Sequence, residues 1–318
     1  MNTPAPVVVR DLVKTFRTRT GEVRAVDGLS FEVPHGVIFG LLGPNGAGKT
    51  TTLRILTTLV APTSGFVRVA GHDPAREGFA VRGSIAAVLQ DNASEQFLSV
   101  RDNFRCYARL HGQERAETDR RLPEVAERFG LSEVLSEKAA DLSIGMRRRV
   151  QVAKVFLVDA PILFLDEATT GMDPFVKRVV LDGIRESARG GRTVVLTTQN
   201  LDEAERLCDE VLIMARGRAI ARGAVSAVTS LHAPAVELRV SFDEEPAGLD
   251  EFLAPFYLVS SRFEAGRLTA RLSGSRRDAA RLLGALADRY RVLDFEVESA
   301  SLEDAFLEIV RRSNPEAQ

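Results

Sequence analysis

Nine residues, "GPNGAGKTT" (Gly43–Thr51), restrict the fold of this chain more than any other stretch. They follow the apolar run "VIFGLL" and precede "TTLRILTTL", whose apolar positions recur with a helical period. A strand that turns abruptly into a helix accommodates that order of glycines, lysine and threonines. The stretch matches G-x-x-x-x-G-K-[ST], a loop whose backbone N–H groups wrap phosphates because glycine carries no Cβ. Gly43, Asn45, Gly46, Ala47, Gly48, Lys49, Thr50 and Thr51 make up the expected cradle. Lys49 brings a point charge to the outer phosphates of a nucleotide, and the Thr50 hydroxyl is a ligand for Mg2+. The helix N-terminus adds partial positive charge.

Around this loop the chain alternates strand and helix. Val7–Arg10, Leu29–Val33, Val37–Leu42, Ile162–Glu167 and Thr193–Thr198 read as strands. Several of them are near-continuous apolar runs, the pattern of a sheet covered on both faces. From about Val100 to residue 145 the sequence is charged and helical, an insertion in an α/β core. Beyond "TSLHAPAVELRVSF" the pattern changes to half-buried strands: Val236–Phe242, Phe256–Ser260, Leu268–Leu272 and Val292–Val297. Arg276–Arg289 and Ser301–Arg312 read as amphipathic helices. This order suggests a small α+β domain of the ferredoxin-like, split βαβ kind over 231–318, after a first domain over 1–230. Its charge supports the division. From Leu231 onward there are 11 Lys and Arg against 16 Asp and Glu, whereas the remainder has 31 against 28.

"ILFLDE" ends a buried strand with two carboxylates, Asp166 and Glu167. In a phosphate-loop fold an acid at that strand end holds Mg2+, and the next can act as general base toward water. The pair also reads as acids placed to cap and favour the following helix. The net charge of −2 gives no basic field for nucleic acid. The two cysteines, Cys106 and Cys208, lack metal-ligand spacing and fit a reducing compartment. The N-terminal residues lack a secretory pattern, and no run of 18 apolar residues occurs, so a membrane role is expected only through a partner.

"LSIGMRRRVQVAKVFL" (Leu142–Leu157), upstream of the Asp-Glu pair, resembles the signature of ABC transporter ATP-binding subunits, usually LSGGQ. Further motifs fall in that family's order, over about residues 5–230. The resemblance implies an α/β P-loop NTPase with a RecA-like core, an antiparallel β subdomain and a helical insertion. It implies that Ser143 and Gly145 contact ATP held by a second subunit, although Ser143 also reads as a plain helix N-cap. It implies that Gln90 reaches Mg2+ and links to the permease, and that Asp173 in "TGMDP" lies at the dimer contact. It gives Phe16 the role of stacking on adenine; an ordinary core aromatic is the other reading. "GMRRR" and "SLEDAFLEIV" resemble the bacterial daunorubicin-resistance type.

Three positions depart from the family pattern, one of them Met146 in place of the usual signature glutamine. Ile144 replaces a signature glycine, and Gln199, in "VVLTTQNLDEAERLCD", replaces the histidine that contacts the γ-phosphate. An amide donates neutral hydrogen bonds but cannot carry charge or shuttle protons. Glu167 and Gln199 are therefore the expected catalytic pair, with slowed hydrolysis. The implied protein is an ATP-hydrolysing exporter subunit on the cytoplasmic face of the membrane. It would dimerise on ATP, as a homodimer or with another cassette, and drive a separately encoded integral membrane permease. The alternative is a soluble regulatory ATPase of the same family with very slow or no turnover.

Overall fold

A computed structural model of the chain describes residues 4–19, 21–89, 95–232, 235–273 and 276–313. The chain divides into two compact units, Met1–Gly223 and Ala224–Gln318.

The first unit begins with β1 (Val7–Thr18), β2 (Gly21–Val33), β3 (Ile38–Leu42) and α1 (Lys49–Leu56). Next come β4 (Ser64–Val69), α2 (Gly78–Ser84) and β5 (Ile85–Val88). The helical insertion supplies α3 (Val100–Leu110) and α4 (Arg115–Arg128), followed by α5 (Ile144–Leu157). The rest is β6 (Ile162–Asp166), α6 (Pro174–Arg189), β7 (Thr193–Thr197), α7 (Leu201–Leu207), β8 (Glu210–Ala215) and β9 (Arg218–Ala224).

Six strands form one sheet in the order β5-β6-β7-β3-β8-β9. The pairs β5–β6, β6–β7, β7–β3 and β3–β8 are parallel. Every residue of β3, β6 and β7 is buried, which is why these strands read as apolar runs without alternation. Lying side by side and parallel, they deliver their C-terminal ends to one edge, where open α/β sheets bind ligands.

A second sheet, ordered β2-β1-β4, is antiparallel and packs its inner face into the same core. Phe31 of β2 stacks on Phe39 of β3 with ring centroids 5.6 Å apart. Both ribbon strands run well beyond the expected Val7–Arg10 and Leu29–Val33. The added halves bury only Leu12 and Val26 among half-buried, exposed and charged residues, and a bulge at Asp11 (φ 49) breaks the alternation, so no regular apolar pattern marks them.

Gly40 in β3 leaves room for a thiol: a Cβ there would lie 2.8 Å from the Cys208 Sγ. Burial pushes that thiol up to about 12, whereas Cys106 on α3 is exposed.

The second unit runs α8 (Val225–His232), β10 (Ala235–Phe242), α9 (Leu249–Leu253), β11 (Leu258–Glu264) and β12 (Arg267–Ser273). It closes with α10 (Arg276–Arg289), β13 (Val292–Ser299) and α11 (Leu302–Ser313). The sheet is antiparallel throughout, in the order β11-β12-β10-β13. From β10 to β13 the chain runs β-α-β-β-α-β, the order of a split βαβ unit. It has its own core, including Leu238, Val240, Leu268, Leu282 and Leu286. β11 starts later than the expected Phe256 because Phe256 packs on Phe252 instead, with centroids 5.7 Å apart. Arg239 bridges Glu237, Glu296 and Glu298 and so gathers part of the acidic excess on one sheet face. Among the described residues, no helix is long and apolar enough to cross a membrane.

Candidate functional site

The phosphate loop leaves β3 and enters α1 through two glycines that no other residue replaces cheaply. Gly43 has φ 152, and a Cβ on it would lie 2.3 Å from the Met214 carbonyl oxygen. Gly48 has φ 101, and its Cβ would lie 2.4 Å from the Ala25 carbonyl oxygen. The loop is tied down at Ala47, whose N–H donates to Pro44 and whose carbonyl accepts from Gly217 N–H. Asn45 and Gly46 are exposed at its rim, and Thr51 is half-buried behind it. Lys49 is buried, and its Nζ donates to the carbonyls of Gly43 (2.7 Å) and Pro44 (3.0 Å). Burial lowers its pKa, against the opposing pull of Glu167 and Asp166.

The end of β6 forms the facing wall. Asp166 is buried, and its Oδ1 accepts from the hydroxyls of Thr197 (2.6 Å) and Thr50 (3.3 Å). Its Oδ2 is also buried yet has no hydrogen-bond partner among the described residues. A sheltered carboxylate oxygen without a donor is costly unless a cation or its water meets it. An oxygen of that kind beside a threonine hydroxyl suits Mg2+, which takes one or two protein oxygens and completes its shell with phosphate and water.

Glu167 has its backbone held from both sides. Its φ is 48, a left-handed value unusual for a side-chain residue. Its N–H donates to both the carbonyl and the hydroxyl of Thr197, each at 3.1 Å. Its carbonyl accepts from Arg148 Nη2 at 2.9 Å. The carboxylate accepts at Oε1 from Gln199 Nε2 at 2.5 Å. Gln199 is exposed beyond β7, and Asn200 caps α7 by accepting at Oδ1 from Glu203 N–H at 2.9 Å. The polar patch thus divides: Asn200 begins the helix, and Gln199 belongs to the Glu167 cluster. Glu167, Gln199, Thr170 and Lys177 are among the residues lining a cleft of about 440 Å³.

The other expected residues lie apart from this cluster. Ser143 is the N-cap of α5, accepting from Met146 N–H at 3.2 Å. Ile144 beside it is 74% exposed, and Gly145 has open space where a Cβ would be. Asp173 caps α6 by accepting from Val176 N–H at 3.0 Å, and Arg149 reaches its other oxygen at 3.1 Å. The Val176 N–H and then Arg149 hold its carboxyl below the usual range. No hydrogen bond among the described residues joins Ser143, Gly145 or Asp173 to the phosphate loop. Phe16 is not a core aromatic. It is 38% exposed on β1, with Lys14 Nζ 4.8 Å from its ring centroid. Its cross-strand partner is Val23, two residues before the Ala25 that abuts Gly48. Gln90 lies outside the described residues.

Sequence reasoning passed over Thr197 as the residue joining both carboxylates, and over Arg148. The run "RRR" at Arg147–Arg149 was a signal: successive helical positions point about 100° apart, so the three cannot share one solvated face, and all three are half-buried.

The family described as ABC transporter matches residues 26–170. The chain is 36% identical over 287 residues to the daunorubicin/doxorubicin resistance ATP-binding protein DrrA of Streptomyces peucetius, covering 89% of this chain and 87% of that one. The chain belongs to the ABC transporter ATP-binding proteins. Another such cassette, daunorubicin resistance ATP-binding protein DrrA3 of Streptomyces coeruleorubidus, is 44% identical over 64% of this chain and 65% of its own length. The Nod factor export ATP-binding protein I of Ralstonia nicotianae is 36% identical over 94% of this chain and 93% of its own. Among solved structures, an ATP-binding subunit of an ABC transporter superposes with a TM-score of 0.66 at 29% identity, over 71% of this chain and 92% of that one. A dimeric post-hydrolysis ATP-binding cassette bound to ADP and Pi has a TM-score of 0.64 at 21% identity, over 69% and 98%, and shares the fold.

Proposed function

We propose that this cassette is the ATP-hydrolysing subunit of an exporter, working at the cytoplasmic face of the membrane on a separately encoded integral membrane permease. Two copies close head to tail on two ATP molecules, each phosphate loop facing Ser143 and Gly145 of the other copy. Pairing with a different cassette would use the same surfaces. The observation that carries the reading is the convergence of Lys49, Thr50, Asp166, Glu167 and Gln199 at one sheet edge, with the Asp166 Oδ2 buried and unpartnered. In this reading Lys49 and the loop amides hold the β- and γ-phosphates, and Phe16 stacks on adenine. Thr50, Asp166 and Gln90 hold Mg2+, which when bound offsets phosphate charge. Glu167 accepts the proton of the attacking water, and Gln199 donates to the γ-phosphate. Asp173 meets the second copy. Relatives named for daunorubicin resistance and Nod factor export support export as the direction of transport.

Phosphate release by the wild type, Glu167→Gln and Gln199→His, with and without permease-containing membranes, tests this. Glu167→Gln should bind ATP and lose turnover. Restoring the histidine should raise turnover by about 10-fold or more, the scale of one charge-assisted contact. Undiminished turnover in Glu167→Gln would overturn the assignment.

One observation favours a second reading, a regulatory ATPase with very slow turnover. Gln199 Nε2 donates to Glu167 Oε1 at 2.5 Å and so engages one of the two oxygens that the proton of the water could reach. Turnover that stays at the isolated-subunit level in the assembled complex would select that reading.

A further inference from the structure

Arg148 lies on α5, five residues beyond the Ser143 that caps this helix. Its guanidinium makes four hydrogen bonds. Nη2 donates to the carbonyls of Asp166 (3.0 Å) and Glu167 (2.9 Å). Nη1 donates to the carbonyl of Leu89 (3.0 Å) and to Gln151 Oε1 (2.7 Å). Buried Gln151 completes the arrangement by donating to the same Leu89 carbonyl at 3.1 Å. One side chain therefore joins the signature helix, the strand end that carries the carboxylates and the residue that precedes Gln90.

The geometry makes the seating of Glu167 depend on α5. At Glu167 the backbone is in a left-handed conformation, which persists where surrounding bonds over-determine it. Thr197 fixes its N–H, and its carbonyl is held jointly by the Thr170 N–H at 3.2 Å and the Arg148 guanidinium, the bond that comes from α5. A planar, fixed fork suits this task, since its two terminal nitrogens reach four acceptors in one geometry; a lysine ammonium has only three donors, all on one atom. We propose that Arg148 is a positioning residue that couples the signature end of α5 to the Glu167 of the same chain. When Ser143 and Gly145 engage the ATP of the second copy, α5 sets the direction from which Glu167 meets its own water. The inference rests on the proposed role of Glu167, and the experiment keeps the two apart.

The test compares wild type, Arg148→Lys, Arg148→Ala and Glu167→Gln as full chains. It measures kcat, KM for ATP, binding of a fluorescent ATP analogue, ATP-driven dimerisation in the Glu167→Gln background, and rescue by added guanidinium. Arg148→Lys should lower kcat by about 10-fold or more, the scale expected for losing charge-assisted bonds. KM, nucleotide binding and dimerisation should stay within about twofold, because Lys49 and the loop are untouched. Guanidinium should restore part of the kcat of Arg148→Ala and none of that of Glu167→Gln. Wild-type kcat in Arg148→Lys overturns the proposal, as does a loss in which KM and kcat worsen together without guanidinium rescue. Turnover persisting in Glu167→Gln would instead overturn the role of Glu167.

Discussion

Lys154 offers a test of the packing between α5 and the helical insertion. It is 4% exposed, with its ammonium 5.4 Å from the centroid of the Tyr107 ring on α3. Burial lowers its pKa from 10.5 to about 8, although Glu95 and Cys106 pull the other way. The unfolded chain keeps the ordinary lysine value, so between pH 8 and 10.5 it binds more protons than the folded one. Stability therefore rises with pH across that window, and below it the full cost of the buried charge is present. A tenfold difference in proton affinity corresponds to about 1.4 kcal/mol, which puts that cost at about 3 kcal/mol near neutral pH. By the same relation it falls to about 2 kcal/mol at pH 9 and about 1 kcal/mol at pH 10. The perturbation is Lys154→Met, which keeps the stem and removes the charge. Packing and the lost contact with Tyr107 shift the stability difference between variant and wild type by a constant amount. The change of that difference with pH belongs to the ammonium alone. The chain has no tryptophan, so urea unfolding followed by circular dichroism at pH 7, 8, 9 and 10 is the suitable assay. The advantage of the variant should shrink by about 2 kcal/mol from pH 7 to pH 10. A difference that stays flat over this range would refute the buried-charge argument.

Other outcomes follow from the site. Gly48→Ala should weaken binding of a fluorescent ATP analogue by at least about 10-fold, since its Cβ would meet the Ala25 carbonyl oxygen at 2.4 Å; unchanged affinity would count against the loop geometry. Thr197→Val keeps the shape of the side chain but removes the bonds to Asp166 Oδ1 and Glu167 N–H, so kcat should fall about 10-fold with little change in nucleotide affinity. Gln199→His should add a limb near the ordinary histidine pKa of about 6.5 to the pH–rate profile, which the amide of the wild type cannot supply. Glu203→Ala strips the buried carboxylate that accepts from Thr169 and pairs with Lys177. Lys177→Met should lower the thermal midpoint at least as much, because it leaves the more deeply buried member of the pair, the Glu203 carboxylate, without its cation.

What could be read from the sequence follows the physics of each element. β3, β6 and β7 were legible because strands buried on both faces are uniformly apolar. The phosphate loop was legible because its glycines answer to backbone geometry that no other residue meets. The outer halves of β1 and β2 were hidden, since they bury only Leu12 and Val26 among many charged or exposed positions and a bulge interrupts the period. The alternation in the second unit gave its four strands, but the placing of β10 between β12 and β13 depends on register, which no local pattern encodes. Arg148 escaped notice for a different reason. Three of its four acceptors are main-chain carbonyls, and a carbonyl leaves no trace in residue type.

The chain's two cysteines have opposite accessibility, and that has a practical use. Cys208 is sealed beneath β3 with its thiol held protonated, while Cys106 stands open on α3 in the helical insertion. A maleimide dye or spin label offered to the unmodified protein should therefore attach at one site per molecule. Two labelled copies would report by energy transfer or dipolar distance how far the insertions move when ATP is added. The motion proposed for the pair can be followed without first engineering a cysteine-free background.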